Sequence, residues 1–257
     1  MSTTRAAATA PERWTPAEIA GLLQALEPLA GPDAPACAVS VHDRRVELAL
    51  DPAAGPVTHH GLVHVGRLVG AVENALRSSG WAPRTVVAGD ARTRPLVTIT
   101  GTRRRPATPM DLARRRVERR PGDGASPRYA APADMSRVVD VAHASGSRGA
   151  WLHLLNGPTR DGVPAWRTPG TTPSHTLALE LPWSRDPVLA VCTHDDGVRE
   201  SVVAGVVVER ATIEAALRGL RTDVHVAAFD DPAVRAAALA DAEHDTGFGH
   251  AALRLHP

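Results

Sequence analysis

The chain has 257 residues, a formal net charge of +1 and 43% hydrophobic residues, the make-up of a soluble globular protein of about 1–2 domains. All 29 basic residues are arginine, which excludes a Walker-A lysine, a pyridoxal Schiff base and a lysine general base. Balanced charge argues against nucleic-acid binding, and no apolar run reaches the ~18 residues that a membrane span needs. The expected placement is cytoplasmic.

Residues 1–13 read as a disordered leader. Thr15-Pro16-Ala17-Glu18 is a helix start with the ingredients of a capping box, and Ile19, Leu22, Leu23 and Leu26 continue it to about residue 28. Ala36–Val41 and Val46–Leu50 are strand-like, joined by a turn at His42–Arg45, so a hairpin is expected. After a loop at Asp51–Pro56, residues 59–79 form a long amphipathic helix, with Gly80 as its C-cap. Thr85–Ala88 and Leu96–Thr100 are the next strands. Thr108-Pro109 opens a helix over 109–119 that carries Arg114, Arg115, Arg116 and Arg119.

Residues 121–132 are rich in Gly, Pro, Ser and Ala and read as a linker. A short helix is expected over 133–144 and a long ordered loop over 145–174, with Trp151 and Trp166 embedded in it. Thr176–Leu181 and Val188–Cys192 read as strands, and residues 198–218 as a long helix capped by Gly219. A strand at Val224–Ala228, a helix from Asp231-Pro232 to about 241 and a closing strand at His250–Leu255 complete the chain. The alternation lacks regular βαβ periodicity, so the class is α+β. One domain over 14–257 is expected, in two halves, 14–120 and 175–257, separated by a linker or lid region at 121–174.

Few residues point to chemistry by spacing alone. Cys37 and Cys192 are too few for a Cys-rich zinc or iron–sulfur site and read as buried apolar side chains. His59, His60 and His64 share one helix, and His60 and His64 lie one turn apart. No spacing supplies the further ligand that zinc wants, so no metal is expected. There is no nucleophile elbow and no dinucleotide glycine fingerprint; Gly146-Ser147-Arg148-Gly149 lacks the first pattern. Arg115 and Arg119 lie four apart on one helical face, where guanidinium forks suit a phosphate; a solvated helix face is the competing reading.

Three stretches together resemble the nitroreductase superfamily of FMN-dependent oxidoreductases, and within it the actinobacterial Acg-like branch. The first runs from Arg45 through Asp51 into the helix Val65–Arg77 and Gly80. The second is the arginine-rich run Leu112–Pro121. The third runs from Gly205 to Pro257, with Glu209, Ala216, Gly219-Leu220, Pro232, Gly247 and Leu253-Arg254-Leu255 in the family's closing pattern. Asp161–Ala165 is also similar to a loop of that branch.

The resemblance implies a nitroreductase-like fold, a central mostly antiparallel sheet flanked by helices. It also implies a homodimer, or a single chain whose two related halves mimic one. Arg115 and Arg119 would hold the FMN phosphate, and Val226, Ala227 and Ala228 would approach the flavin edge. NAD(P)H would supply hydride, and a small organic molecule would be the substrate. Trp151 and Trp166 are candidates for the pocket wall, with core packing the competing reading. The chain also departs from the family. Val117 stands where a hydroxyl residue is usual, Ala227-Ala228 replace Glu-Gly, and residues 29–41 lack the branch's Ser, Asn, Gln and Trp before Ser40. These losses keep a second reading open: a flavin-poor, non-catalytic binding or partner protein.

Overall fold

A computed structural model describes residues 13–118, 136–140, 149–156, 187–237 and 247–256. Two successive units share one topology. The first runs α1 (Pro16–Leu26), β1 (Cys37–His42), β2 (Arg45–Leu50), α2 (His59–Ser78), β3 (Trp81–Val87), β4 (Val97–Arg104) and α3 (Pro109–Glu118). The second comprises β5 (Ala150–Asn156), β6 (Val188–Thr193), α4 (Val198–Leu217), β7 (Arg221–His225), α5 (Pro232–Ala237) and β8 (Phe248–His256), with a helical stretch at 136–140 before it. The sheets are ordered β1-β2-β4-β3 and β5-β6-β8-β7, and all their pairings are antiparallel. The class is therefore α+β, but the strands form two four-stranded sheets instead of the single central sheet expected.

Local signals account for the helix starts. Thr15 Oγ1 accepts from Glu18 N (3.2 Å), and Glu18 Oε2 accepts from Thr15 N (2.7 Å), closing the capping box. The other Glu18 oxygen accepts from Trp81 Nε1 (2.8 Å) and from Arg104 (2.7 Å), whose guanidinium lies over the Trp81 ring. One capping residue thus also anchors α1 to the first sheet. Thr108 and Asp111 form the same reciprocal pair at the start of α3.

The two long helices are copies at a constant spacing. His59 and Val198 are their first residues, and Gly80 and Gly219 follow their ends; both pairs are 139 residues apart. Gly80 (φ 79°) and Gly219 (φ 74°) take the left-handed conformation that terminates a helix and costs any other residue a Cβ clash. The helices run side by side in the same direction and cross at Gly66 and Gly205. A Cβ on either glycine would overlap a carbonyl oxygen of the opposite helix, Val202 or Val63, and would lie 2.8 Å from the opposing glycine Cα. Each helix also reaches into the other unit's core. Val63 of α2 joins the apolar cluster under the second sheet, and its counterpart Val202 of α4 joins the cluster under the first.

Ion pairs line the same helix interface. Arg67 Nε donates to Glu209 (3.2 Å). Glu73 accepts from Arg77 (2.8 Å), Arg210 (2.7 Å) and Thr85 Oγ1 (2.7 Å). Burial works to raise the Glu73 carboxyl, but these partners outweigh it and hold the group below its ordinary range. Glu209 has less compensation, and burial pushes it up against the pull of Arg67.

Several sequence expectations move. Trp151 lies in strand β5 and not in a loop. The strand expected at Val224–Ala228 ends at His225 and gives way to a 3-10 turn, Ala227–Phe229. β3 begins earlier than expected, at Trp81, immediately after the glycine cap. The strand Thr176–Leu181, the linker 121–132, most of the loop 145–174 and the leader up to residue 12 lie outside the described residues. No helix among the described residues is long and apolar enough to cross a membrane.

The crossing supplies a stability test. Gly66→Ala is expected to destabilise the chain by about 3 kcal/mol or more in urea denaturation, because backbone carbonyl cannot yield as a flexible side chain can. Gly31→Ala, where the added methyl meets nothing within 4 Å, is the control and should stay within about 0.5 kcal/mol of the parent.

Candidate functional site

The residues expected around a flavin fall in separate places. Arg115 is buried on α3, and its guanidinium donates to the Gly21 carbonyl of α1. Arg119 and Trp166 lie outside the described residues. Val226, Ala227 and Ala228 line a cavity of about 310 Å³ together with His60, Arg67 and His225, and Arg115 is not among its lining residues. Trp151 packs with Ala190 and Cys192, and its ring lies tilted against that of His194, with centroids 4.5 Å apart. Its place is therefore a packing one against β6. Cys37 and Cys192 are both free; Cys192 is buried in an apolar cluster, whereas Cys37 is half-buried, its thiol raised by burial to about 11.

A larger cleft, about 820 Å³, opens between the loops 51–58 and 90–94. Two of its carboxylates already cap their own turns: Asp51 accepts from Ala53 N (2.9 Å) and Asp90 from Arg92 N (2.9 Å).

The densest polar arrangement lies where α2 and α4 begin. Thr58 caps α2 through Gly61 N (3.0 Å) and so places His59 in the first turn. The His59 and His250 rings stack with centroids 5.1 Å apart, and His59 Nε2 lies 3.0 Å from the His250 carbonyl oxygen. His250 owes its position to a β-bulge. The register passes from Val191↔Ala251 to Cys192↔Gly249, so His250 has no cross-strand partner of its own. Its Nε2 meets Thr193 Oγ1 at 2.6 Å, and Thr193 Oγ1 donates to the Asp195 carbonyl (2.6 Å). Asp196, in the turn before α4, accepts from Arg235 Nε (2.9 Å). Arg235 also donates to the carbonyls of Phe229 (2.6 Å) and Asp230 (3.0 Å), locking the turn after β7 to the same corner. Asp230 accepts from the backbone N–H of His60 (2.8 Å).

Burial keeps both rings neutral. It drives His250 down to about 3, with His59 adding to the effect, and it lowers His59 despite the carbonyl of His250. The sequence groups His59 with His60 and His64, whereas the fold sets His59 apart from the other two, which stay one turn apart on α2. His59 faces His250, and His60 lines the small cavity beside Val226. His64 is buried near Arg67. In the sequence, Asp195-Asp196-Gly197 stand immediately before the long helix 198–218, and His250 is the first residue of the closing strand. No spacing signal joins either to His59, because the residues are brought together by a bulge and a helix pair.

The chain matches no protein-family model and no curated protein.

His64 sets a pH dependence. Burial foremost, then Arg67 and His60, lower its pKa from 6.5 to about 4. Between those values the unfolded chain takes up a proton at this site and the folded chain does not. Stability from this site is therefore complete above pH 6.5 and falls as pH drops toward 4, by up to about 1.4 kcal/mol per pH unit. Urea denaturation across that interval should show the fall, and His64→Gln should lessen it while leaving the shares of His59 and His250; a variant with the parent's slope would refute the assignment.

Proposed function

We propose that this chain is a flavin-poor, non-catalytic ligand-binding protein of nitroreductase-like ancestry, with the cavity beside Val226, Ala227 and Ala228 as its ligand seat. The observation that carries this reading is the engagement of Arg115. Its buried guanidinium donates to the Gly21 carbonyl, so part of its hydrogen-bonding capacity is used within the chain. The lost hydroxyl at Val117 and the missing polar residues at 29–41 point the same way, since an unpaired ligand group costs about 1–3 kcal/mol.

The cavity mixes apolar and polar walls. Val224, Val226, Ala227 and Ala228 give it apolar walls, and His60, His225 and Arg67 give it a few polar groups. Its volume lies at the low end for ligand pockets, which suits a small organic ligand. Arg67 is held through Nε by Glu209, so its guanidinium is already oriented before a ligand arrives.

One observation favours the competing reading, an FMN-dependent oxidoreductase fed by NAD(P)H. The cavity lies at the segment where the resemblance expects the flavin edge. Titration of the purified chain with FMN, followed by fluorescence quenching, separates the two. The proposal expects no saturation below ~100 µM FMN; binding at ~10 µM or tighter, with NAD(P)H oxidation, would establish the flavoenzyme instead.

The role of Arg115 is tested in parallel. Arg115→Ala should destabilise the fold by about 1–3 kcal/mol in urea denaturation, because it removes a charge-assisted hydrogen bond and the packing of a buried side chain. Unchanged stability combined with weakened FMN binding would return this arginine to the phosphate role.

A further inference from the structure

We propose that His59, Asp196 and His250 form a binding site for a divalent transition-metal ion of the zinc class. One ring nitrogen of each histidine and a carboxylate oxygen of Asp196 lie within 4.8 Å of one another. Two imidazoles and a carboxylate are a donor set suited to zinc and its neighbours.

The hydrogen bonds around the rings fix which nitrogens are available. Thr193 Oγ1 gives its proton to the Asp195 carbonyl, so toward His250 it accepts, and His250 Nε2 carries the ring proton. His250 Nδ1 is then a bare lone pair on a residue with 0% exposure, and it has no partner among the described residues. A buried acceptor left alone is costly, and a cation satisfies it.

His59 follows the same logic. Its Nε2 faces a carbonyl oxygen and must donate, which leaves the lone pair on Nδ1. Ser201 Oγ lies 3.3 Å from that nitrogen but 2.8 Å from the Gly197 carbonyl, and its single proton belongs to the nearer acceptor. Each ring thus has one N–H held by an outer oxygen and one free lone pair, the arrangement of metal-ligating histidines. Arg235 orients Asp196 in the corresponding way.

An ion ~2.0–2.1 Å from each ligand atom sets those atoms roughly 3.4 Å apart, so the corner closes by at most about 1.4 Å on binding. The ion would tie the first turn of α2 to strand β8 and to the turn before α4, and so join the two units at the end of the helix pair. Three protein ligands leave one position for water or a small ligand.

The full-length chain, stripped with a chelator, is titrated with Zn²⁺ by calorimetry and with Co²⁺ by visible absorption. The proposal expects one ion per chain, with Co²⁺ bands of a four- or five-coordinate site. Asp196→Asn and His250→Gln should each weaken binding at least tenfold, and His42→Ala, on an exposed residue of β1, should leave it unchanged. Asp196→Asn alters a turn residue and guards against a folding failure in the buried His250 variant; circular dichroism of each variant verifies the fold. No saturable binding of either ion at ~100 µM would overturn the proposal, as would parental affinity in folded Asp196→Asn.

Discussion

The close approach of Gly66 and Gly205 is the constraint on which the rest of the structure depends. With no side chain on either glycine, the backbones of α2 and α4 come near enough for each helix to leave its own unit and enter the neighbour's core. A two-layer unit made of one helix and one small sheet buries little apolar surface by itself. Two such units, each lending a helix face to the other, bury α2 over nearly its whole length. The glycines therefore set the helix separation, and the separation sets where every side chain along the pair meets its partner.

The polar contacts along the pair follow from that geometry. Arg67 meets Glu209, Glu73 is shared between Arg77 and Arg210, and Glu214 is held by Arg114 and Arg218. Such pairs contribute modestly to net stability, since desolvation offsets much of the attraction, but they penalise any sliding that leaves a charge alone. The exclusive use of arginine matters here. Its planar fork has several donors, so Arg67 can hold Glu209 through Nε and still line the small cavity.

The same alignment brings the first turns of α2 and α4 to one corner. That corner gathers His59 from one unit and Thr193, Asp196, Ser201 and His250 from the other. The β-bulge before Cys192 is what turns His250 out of the ordinary ladder. The small cavity beside Val226 lies close by along α2, because His60, next in sequence to His59, lines it. Arg115 instead donates to the Gly21 carbonyl of α1 and is not among the residues that line this cavity.

What the sequence determined by itself was local. Thr15-Glu18 and Thr108-Asp111 announce two helix starts because a cap is satisfied within four residues, and Gly80 and Gly219 announce two helix ends because only glycine takes that backbone conformation cheaply. The β1–β2 hairpin and both long helices were legible for the same reason. Only the tertiary structure decided that the strands divide into two sheets and that Trp151 belongs to one of them. It also decided that His59 faces His250 rather than His60 or His64. Those outcomes depend on pairings between residues far apart in the chain, such as Gly66 with Gly205 and His59 with His250. No local periodicity records which distant surface a helix face or a strand edge will meet.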